Sequence, residues 1–544
     1  MRLNLLALAL GIASATGFAP LGLWPLTLLA FALLLWLVQG APRLRSALAR
    51  GWWFGVGHFA LGLNWIATAF TYQAEMPAWL GWIAVVLLSL YLAVYPAVAA
   101  GLAWRWARGD GLRLALVFAA AWIVTEWLRA SLFTGFAWNP LGVVALSAAG
   151  PGVSYLAGSA RWIGTYGLSG VLLLFAGVWA LALVRLFPAF DRGLTKPHAD
   201  IGFRFIPKKL AGDVLLVAVP ILLFMIGPGS GSEPSRPGSS ELALRIIQPN
   251  IGQQDKWRED FIAENEARLA GMSRRGEGRP RLLLWPEAAV TRPLQNELAY
   301  PRLQQEAAML RARVGRMMAP ADLLLTGGVT WRSADGFDIT SATNSVFAMD
   351  RSGRIHARYD KSHLVPYGEY LPMRPILSAI GLSRLAPGDI DFDSGPGPQT
   401  LDLPVVGKVG FQLCYEIIFS GQVVERGNRP NFLFNPSNDA WFGAWGPPQH
   451  LAQARLRALE EGLPVLRSTP TGISAVIDAK GQLLHSLPWR RAGVIDATLP
   501  PPLPPTLFAR LGNIAPLILS LLLAGAAVVV ARRARTIAGA GEAR

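Results

Sequence analysis

The segment VGFQLCYEIIF, residues 409–419, joins an apolar run typical of a buried β-strand to the single cysteine of the 544-residue chain. Cys414 stands at the end of this run, directly before a tyrosine and a glutamate. In layered α/β domains, the ends of strands are where side chains reach a cleft. An unreactive core residue explains the same pattern, since free cysteine is among the most buried residue types. The segment therefore predicts a strand and leaves two alternatives for its thiol.

More apolar runs of strand length surround this segment between residues 242 and 504. Two stretches with helical character, 261–275 and 449–462, lie between some of them. Strands and helices in this order predict an α/β layered domain, and a domain of this size can bury its own core. The runs are 242–247, 281–285, 322–328, 345–350, 409–416, 431–435 and 465–469.

The rest of the chain has the composition of a membrane protein. Hydrophobic residues make up 52% of the sequence and charged residues 16%, whereas soluble domains have about 25% charged residues. A helix of roughly 17–25 apolar residues crosses a bilayer. We therefore predict a multi-pass α-helical membrane domain with about eight transmembrane helices, at 3–19, 22–39, 52–71, 79–103, 112–133, 163–186, 212–228 and 513–531.

These segments set the predicted domain limits. Residues 1–228 form a membrane domain with seven transmembrane helices, and 229–241 form a linker rich in Gly, Pro and Ser. The α/β domain covers 242–504, a last transmembrane helix lies within 505–531, and 532–544 form a tail. The first span resembles a signal peptide, but without a clear cleavage site a retained anchor is expected.

Basic residues fall in alternate connections of this arrangement, which is the positive-inside pattern. It predicts a bacterial inner-membrane protein with both termini in the cytoplasm and the α/β domain in the periplasm. It also accounts for the net charge of +15 without a nucleic-acid partner. The residues are Arg43, Arg45, Arg50, Arg105, Arg108, Arg113, Arg185, Arg192, Lys196, Arg204, Lys208, Lys209, Arg532, Arg533 and Arg535.

Metal and cofactor chemistry is not expected. A single cysteine excludes an intramolecular disulfide and a cysteine-cluster metal site. The six histidines lack metal-binding spacing, and the chain has no glycine-rich phosphate loop.

Polar residues that follow other strand-like runs are candidate partners for Cys414. Glu287 comes just after the run 281–285, and Lys361 and Glu369 lie in the loop RYDKSHLVPYGEYLP, residues 358–372. A nucleophilic thiol needs such a base or positive neighbour. Each residue also has an ordinary explanation: a helix cap, a solvated lysine and a turn cap, respectively. His363 could instead be the base of a Cys-His pair.

Taken together, LLLWPEAAV (282–290), YDKSHLVPYGEYLP (359–372) and GFQLCYEIIF (410–419) followed by NPSNDAWFG (435–443) resemble the three motifs of the nitrilase superfamily. Their surroundings, the stretch 449–478 and the many apolar spans resemble one branch, the apolipoprotein N-acyltransferase family. The resemblance implies an αββα sandwich with a Glu-Lys-Cys triad.

The resemblance also implies roles and partners. Glu287 would be the general base, Lys361 would stabilise the oxyanion, and Cys414 would carry an acyl thioester in a ping-pong reaction, with Glu369 and Glu416 in support. The implied acyl donor is a membrane phospholipid, and the acceptor is the α-amino group of a diacylglyceryl-cysteine at an apolipoprotein N-terminus. Nothing requires more than a monomer in the bilayer.

Other residues are weaker candidates. Trp441 and Phe442 border the implied acyl entrance or belong to the core, and Tyr415 helps to position the site. Asn344 and Trp257 stand where the family has recurring residues, without an evident role.

Two ionisable residues, Glu126 and Arg129, lie in the fifth span. Such residues are functional candidates in a membrane. At a spacing of three they can also simply pair with each other, which is the interpretation we favour.

Two other functions fit parts of this pattern. A membrane-tethered amidase or nitrilase would use the same triad with water as acceptor, but it needs only one anchor. A transporter with a periplasmic binding domain would need polar residues along a pathway near the bilayer midplane, and the spans contain few.

Overall fold

The structure is a computed structural model that describes residues 1–542 apart from 73–76, 148–149, 151, 187–241, 275–280, 380, 382 and 386–389. The chain forms two compact units. The first comprises Met1–Asn64, Trp82–Gly231 and Leu507–Arg544, and the second comprises Trp65–Gly81 and Ser232–Thr506. The predicted seventh span and the predicted linker lie outside the described residues.

Helices make up the described part of the first unit. In chain order, the N-terminal helices are α1 (Arg2–Ala15), α2 (Trp24–Gln39), α3 (Leu44–Gly62), α4 (Ile66–Ala69), α5 (Leu80–Leu92), α6 (Val94–Ala107), α7 (Gly111–Ser131), α8 (Tyr155–Gly158) and α9 (Ala160–Leu186). Of these, α4 falls in the second unit, because Trp65–Gly81 groups with the α/β domain. The predicted limits had placed that segment in the membrane domain.

Among the described residues, four helical stretches are long and apolar enough to cross a membrane: Leu80–Ala107, Gly111–Ser131, Ala160–Val184 and Ile514–Arg533. They coincide with predicted spans. The helices α1 and α2 are apolar but shorter. The predicted limits 52–71 are wrong, since α3 begins at Leu44 and ends at Gly62. The apolar run continues past Gly62, so hydropathy alone could not locate that end.

Close backbone approach and buried polar contacts hold these helices together. A Cβ at Gly11 would lie 1.9 Å from the carbonyl oxygen of Phe54, so glycine permits α1 to pack directly against α3. In α7, Arg129 Nη2 lies 3.9 Å from Glu126 Oε1, and both residues are buried. Arg129 also donates to the carbonyl of Trp138 at 2.8 Å, and Glu126 accepts from the amide of Leu141 at 2.8 Å and from Trp122 Nε1 at 3.2 Å. The favoured pairing of Glu126 with Arg129 therefore agrees with the geometry.

The second unit contains thirteen strands within the described residues: β1 (Ala243–Gln248), β2 (Arg281–Leu284), β3 (Gln295–Asn296), β4 (Leu323–Arg332), β5 (Ser341–Asp350), β6 (Ile355–Asp360), β7 (Thr400–Leu403), β8 (Gly407–Phe411), β9 (Phe432–Pro436), β10 (Val465–Ser468), β11 (Ala475–Ile477), β12 (Leu483–Ser486) and β13 (Gly493–Thr498). Its helices are α10 (Gln253–Lys256), α11 (Glu259–Ser273), α12 (Pro301–Gly315), α13 (Arg374–Ala379) and α14 (Gly446–Glu461). The first unit ends with α15 (Leu507–Leu511) and α16 (Ile514–Glu542).

The strands form two mixed sheets. The first has the order β13-β1-β2-β4-β5-β6, with β3 beside β4, and the second has the order β12-β11-β10-β9-β8-β7. In each sheet three central neighbours are parallel: β1, β2 and β4 in the first and β8, β9 and β10 in the second. Strands that are buried on both faces read as continuous apolar runs, which explains why the sequence displayed them so clearly.

Alternation along the strands separates two cores. Leu282 and Leu284 of β2 face a cluster shared with Phe411 and Phe434 of the second sheet. Leu283 faces the opposite way, into a cluster that contains apolar residues of α11 and α12. Successive side chains of a strand point to opposite faces, so the two sheets pack face to face with helices outside. The α/β pattern predicted a layered domain, and the two facing sheets agree with the αββα sandwich that the resemblance implied.

Candidate active site

Glu287 stands three residues beyond the end of β2, in a tight turn against β4. A Cβ at Gly327 would lie 2.5 Å from the backbone nitrogen of Ala288 and 2.7 Å from the Cα of Glu287. Glycine at 327 therefore lets the turn approach the neighbouring strand. Ala288 has a positive φ of 46°, and residues 287–290 form turns rather than a helix. The helix-cap explanation for Glu287 does not hold, and its side chain is buried.

Lys361 follows β6 directly and is buried, with 1% of its surface exposed. Its backbone N–H donates to the carbonyl of Asn344 at 2.9 Å. Its Nζ lies 2.8 Å from Glu369 Oε2 and 3.0 Å from Glu369 Oε1. Burial acts to lower the pKa of Lys361, but the carboxylates of Glu369 and Glu287 outweigh it and raise that pKa. The residue is a permanent buried cation, not a solvated surface lysine.

Asn344, on β5, joins the two carboxylates of the site. Its Nδ2 donates to Glu287 Oε1 at 2.8 Å and to Glu369 Oε1 at 3.0 Å. The contacts fix one oxygen of each carboxylate. Glu369 also accepts from the backbone N–H of Val365 at 2.8 Å, so it caps a turn and binds Lys361 at once.

Cys414 lies just past β8, at the start of a 3-10 helix, Cys414–Ile418. Its φ of 53° places it in the left-handed region, which costs a non-glycine residue on the order of 1–3 kcal/mol. Burial and the carboxylate of Glu287 raise the pKa of its thiol well above the usual value, while the charge of Lys361 opposes this shift. The thiol is therefore protonated at rest and needs a base to become a nucleophile.

Glu416 ties the turn that carries Cys414 to the loop that carries Lys361. Its carboxylate is buried and accepts from donors on both sides. These are the backbone N–H groups of Leu413 (2.7 Å), Ser362 (2.7 Å) and His363 (3.0 Å) and the hydroxyl of Tyr359 (2.9 Å). Burial raises the pKa of Glu416, although these donors act against the shift. These contacts hold the turn that carries Cys414 against the loop that carries Lys361.

Aromatic side chains occupy the space next to this loop. The ring of His363 stacks on Phe419 with 3.9 Å between centroids, and Tyr415 lies against both. Tyr415 is buried. The charges that act on the pKa of the Cys414 thiol belong to Glu287, Lys361 and Asp439, whereas His363 packs against the rings of Phe419 and Tyr415.

Trp441 and Phe442 lie in a short 3-10 helix, Asp439–Phe442. Their rings meet those of Tyr72 (5.8 Å between centroids) and Trp65 (4.6 Å), respectively. The partners belong to Trp65–Gly81, within the same compact unit. Trp257 follows α10 and remains 41% exposed, outside the cluster around Cys414.

Both regions of the chain resemble known proteins. Residues 10–178 match the profile described as "Apolipoprotein N-acyltransferase N-terminal domain", and residues 244–503 match "Carbon-nitrogen hydrolase". A Rhodopseudomonas palustris protein named "Apolipoprotein N-acyltransferase" is 34% identical over 94% of this chain and 91% of its own length. The chain belongs to the apolipoprotein N-acyltransferase family.

A second member of the apolipoprotein N-acyltransferase family, from Bradyrhizobium diazoefficiens, is also 34% identical, over 94% of this chain and 91% of its own length. Among solved structures, Saccharomyces cerevisiae Nit3, "a member of branch 10 of the nitrilase superfamily", covers 48% of this chain and 90% of its own length at 17% identity, with a TM-score of 0.33. The family predicted from the motifs is thus confirmed.

A buried lysine that the sequence did not point to, Lys256, also contacts the candidate active site of this apolipoprotein N-acyltransferase family member. Nζ of Lys256, at the end of α10, donates to the backbone carbonyl of Glu287 at 2.8 Å. Burial lowers its pKa to about 8, while the charges of Glu287 and Cys414 favour the cation. The sequence pointed instead to the neighbouring Trp257, which is exposed, whereas the buried Lys256 contacts Glu287.

Lys256 and Glu287 also line a cavity of about 40 Å³ between β2 and the helices α11 and α12. A site for one water molecule takes about 10–15 Å³ of such volume. The cavity therefore has room for a few water-sized molecules at most and is too small for a fatty acyl chain. An acyl chain must bind elsewhere.

Proposed function

We propose that the protein transfers a fatty acyl chain from a membrane phospholipid, through a thioester on Cys414, to the α-amino group of a diacylglyceryl-cysteine at the N-terminus of an apolipoprotein. The observation that carries the proposal is the buried cluster of Glu287, Lys361, Glu369 and Cys414 in a chain that belongs to this family.

In the first half-reaction, Glu287 takes the thiol proton and the sulfur of Cys414 attacks an ester carbonyl of the phospholipid. The negative charge that develops on the carbonyl oxygen is stabilised by Lys361, which is cationic and already oriented by Glu369. The ester C–O bond then breaks, Glu287 returns the proton to the leaving oxygen, and a lysophospholipid departs. The acyl group stays on sulfur as a thioester.

In the second half-reaction, the amine of the acceptor attacks the thioester. Glu287 now removes a proton from the amine and gives it to the departing sulfur, so the enzyme returns to its starting state with an amide as product. Two half-reactions through one covalent intermediate give ping-pong kinetics.

The hydrogen bonds around Glu287 support its role as the base. Asn344 holds Oε1, whereas Oε2 is buried and has no hydrogen-bond partner among the described residues. A buried carboxylate oxygen without a donor is costly and is a ready acceptor for a proton. Glu287 therefore has one oxygen that fixes its orientation and one that can do chemistry.

Both substrates carry acyl chains, which explains why the catalytic unit is joined to apolar helices. We propose eight transmembrane helices in the inner membrane of a bacterium, with both termini in the cytoplasm and the catalytic domain, residues 242–504, in the periplasm. The distribution of arginine and lysine supports this orientation. Trp441 and Phe442 would border the acyl entrance, and a monomer would suffice.

Intact-mass spectrometry of the purified protein with phospholipid tests the proposal. The wild type should gain the mass of one fatty acyl group and lose it when a diacylglyceryl-cysteine peptide is added. Cys414→Ala should gain nothing, and Glu306→Gln, an exposed carboxylate in α12, should behave like the wild type.

The same experiment separates the competing functions. An adduct released only by water would show that the protein is a hydrolase with the same triad. If an active, lipid-supplied protein never forms an adduct, the proposal is contradicted, and Cys414 is then an unreactive core residue.

A further inference from the structure

The backbone of Cys414 is held by a buried histidine that the proposed reaction does not use. Nε2 of His450 lies 3.1 Å from the carbonyl oxygen of Cys414. A carbonyl oxygen only accepts, so the proton of the imidazole must reside on Nε2. Asn435 Nδ2 approaches the same oxygen less closely, at 3.4 Å. A side-chain hydrogen bond from His450, which lies 36 residues away on α14, therefore joins the 3-10 helix at the carbonyl of Cys414.

A buried ion pair fixes the other side of this imidazole. His450 Nδ1 lies 3.0 Å from Asp439 Oδ1 and 3.0 Å from Arg467 Nη2. Arg467 Nη2 also donates to both carboxylate oxygens of Asp439 at 2.7 Å. All three side chains have no exposed surface.

The charges around His450 act on its pKa in opposite directions. Burial and the neighbouring Arg467 cation lower the pKa of His450, although Asp439 opposes the shift. Whatever the balance of these charges, the carbonyl of Cys414 that faces Nε2 requires a proton on that nitrogen. Nδ1 lies against both Asp439 Oδ1 and Arg467 Nη2, so both ring nitrogens have polar partners.

We propose that His450, oriented by Asp439 and Arg467, is a positioning residue that holds the backbone of Cys414 in its left-handed conformation and so aims the thiol at the acyl donor. The inference rests on the proposed role of Cys414 as nucleophile. A left-handed cysteine is disfavoured locally and persists only where surrounding contacts impose it. The hydrogen bond from His450 to its carbonyl is such a contact, because rotating the carbonyl away would break a buried hydrogen bond.

Two amide variants separate this role from general support of the core. In His450→Gln the side-chain amide can place an N–H near the position of Nε2, and the contact with Cys414 can re-form. In His450→Asn the shorter amide reaches only the position of Nδ1, so the contacts with Asp439 and Arg467 can re-form and the one with Cys414 cannot. Both variants put an amide into the same buried space. His485→Asn, at an exposed histidine on β12, is the matched control.

Three quantities are measured for each protein: the single-turnover rate constant of Cys414 acylation, the apparent KM for phospholipid and the midpoint of thermal unfolding. We expect His450→Asn to lower the rate constant by about 100-fold with KM within about twofold, and His450→Gln to recover most of that loss. The midpoints of the two variants should agree. The rate constant of Cys414 alkylation by iodoacetamide should follow the same order, independently of any lipid.

The outcomes are distinct. Equal losses in the Asn and Gln variants, or no loss in either, would overturn the positioning role while leaving the proposed function intact. A wild type that forms no acyl adduct would overturn the proposed function instead. If neither variant folds, magic-angle-spinning NMR of the ¹⁵N-histidine-labelled wild type decides the matter. A protonated Nε2 that persists from pH 5 to 9 is expected, and an unprotonated Nε2 would contradict the proposal.

Discussion

The two sheets contribute differently to the candidate active site. Turns and loops of the first sheet supply Glu287, Lys361 and Glu369, whose charged ends meet one another around the space where a substrate would react. The second sheet supplies Cys414, whose carbonyl contacts His450, and His450 in turn contacts the buried pair Asp439–Arg467. In the proposed reaction the first half would carry charge and proton transfer, whereas the second would hold the sulfur in place.

The difference predicts that variants of the first half lose rate and keep the fold. Glu287→Gln should lower the acylation rate constant by about 10²–10⁴-fold, the range for loss of a general base. The amide cannot take the thiol proton, and the pKa of Cys414 is already raised. Single-turnover acylation measures the loss, with Glu306→Gln as control. A rate within threefold of the wild type would remove Glu287 from the mechanism.

Variants of the buried Asp439–Arg467 ion pair in the second half should instead lose stability. Asp439→Asn leaves the Arg467 guanidinium without its carboxylate in a fully buried site. Breaking a buried ion pair costs about 3–5 kcal/mol, so the midpoint of thermal unfolding should fall by many degrees. Asp338→Asn, an exposed aspartate in the same unit, should leave the midpoint unchanged. An unaltered midpoint in Asp439→Asn would show that the two halves do not differ in this way.

The pH dependence of acylation in a Glu369 variant gives a second test of the first half of the site. It is the main charge that raises the pKa of Lys361 against the effect of burial. Removing it in Glu369→Gln lets that pKa fall, and the cation is then lost as pH rises. We expect acylation to fall by about 10–100-fold at pH 7, with a loss that grows toward pH 9. A pH–rate profile from 6 to 9 checks this. A loss that shrinks with rising pH would contradict the assigned role.

Glu461, at the end of α14, gives the smallest effect. Burial and the adjacent Glu460 raise its pKa from 4.5 to about 7. The stability from this shift is complete below pH 4.5 and is lost as pH rises to about 7. Glu461→Gln should therefore exceed the wild type in stability at pH 8 by about 1 kcal/mol, and not at pH 4. This gain is part of the roughly 3 kcal/mol that about 2.5 pKa units allow at 1.4 kcal/mol per unit. Thermal unfolding at both pH values measures it. An equal gain at both would contradict the pKa shift.

The sequence revealed the first half of the site better than the second. Glu287 follows an apolar strand, and Lys361 and Glu369 lie in one short loop motif, so their positions could be predicted. His450, Asp439 and Arg467 look like ordinary polar residues of a helix, a turn and a strand, and only the folded chain brings them to Cys414. Lys256 gave no signal because one polar residue on a short helix is not informative.

The strands and helices of the fold also differ in how well the sequence predicts them. Strands buried on both faces were predicted because both faces select apolar side chains. The edge strands β7 and β12, the short strand β11 and the segment Trp65–Gly81 were not, since their sequences lack such a run or continue one from a helix. Helix ends within apolar stretches, such as that of α3 at Gly62, also have no hydropathy signal.

The membership of Trp65–Gly81 in the catalytic unit has a consequence for biosynthesis. Trp65 and Tyr72 leave the ribosome long before Phe442 and Trp441, the aromatic residues that they contact. At about 5–20 residues per second, the early segment waits on the order of tens of seconds for its partners. The catalytic unit therefore cannot complete its folding domain by domain as the chain emerges. A ribosome stalled before residue 441 would hold an early segment that still lacks the surface on which it packs.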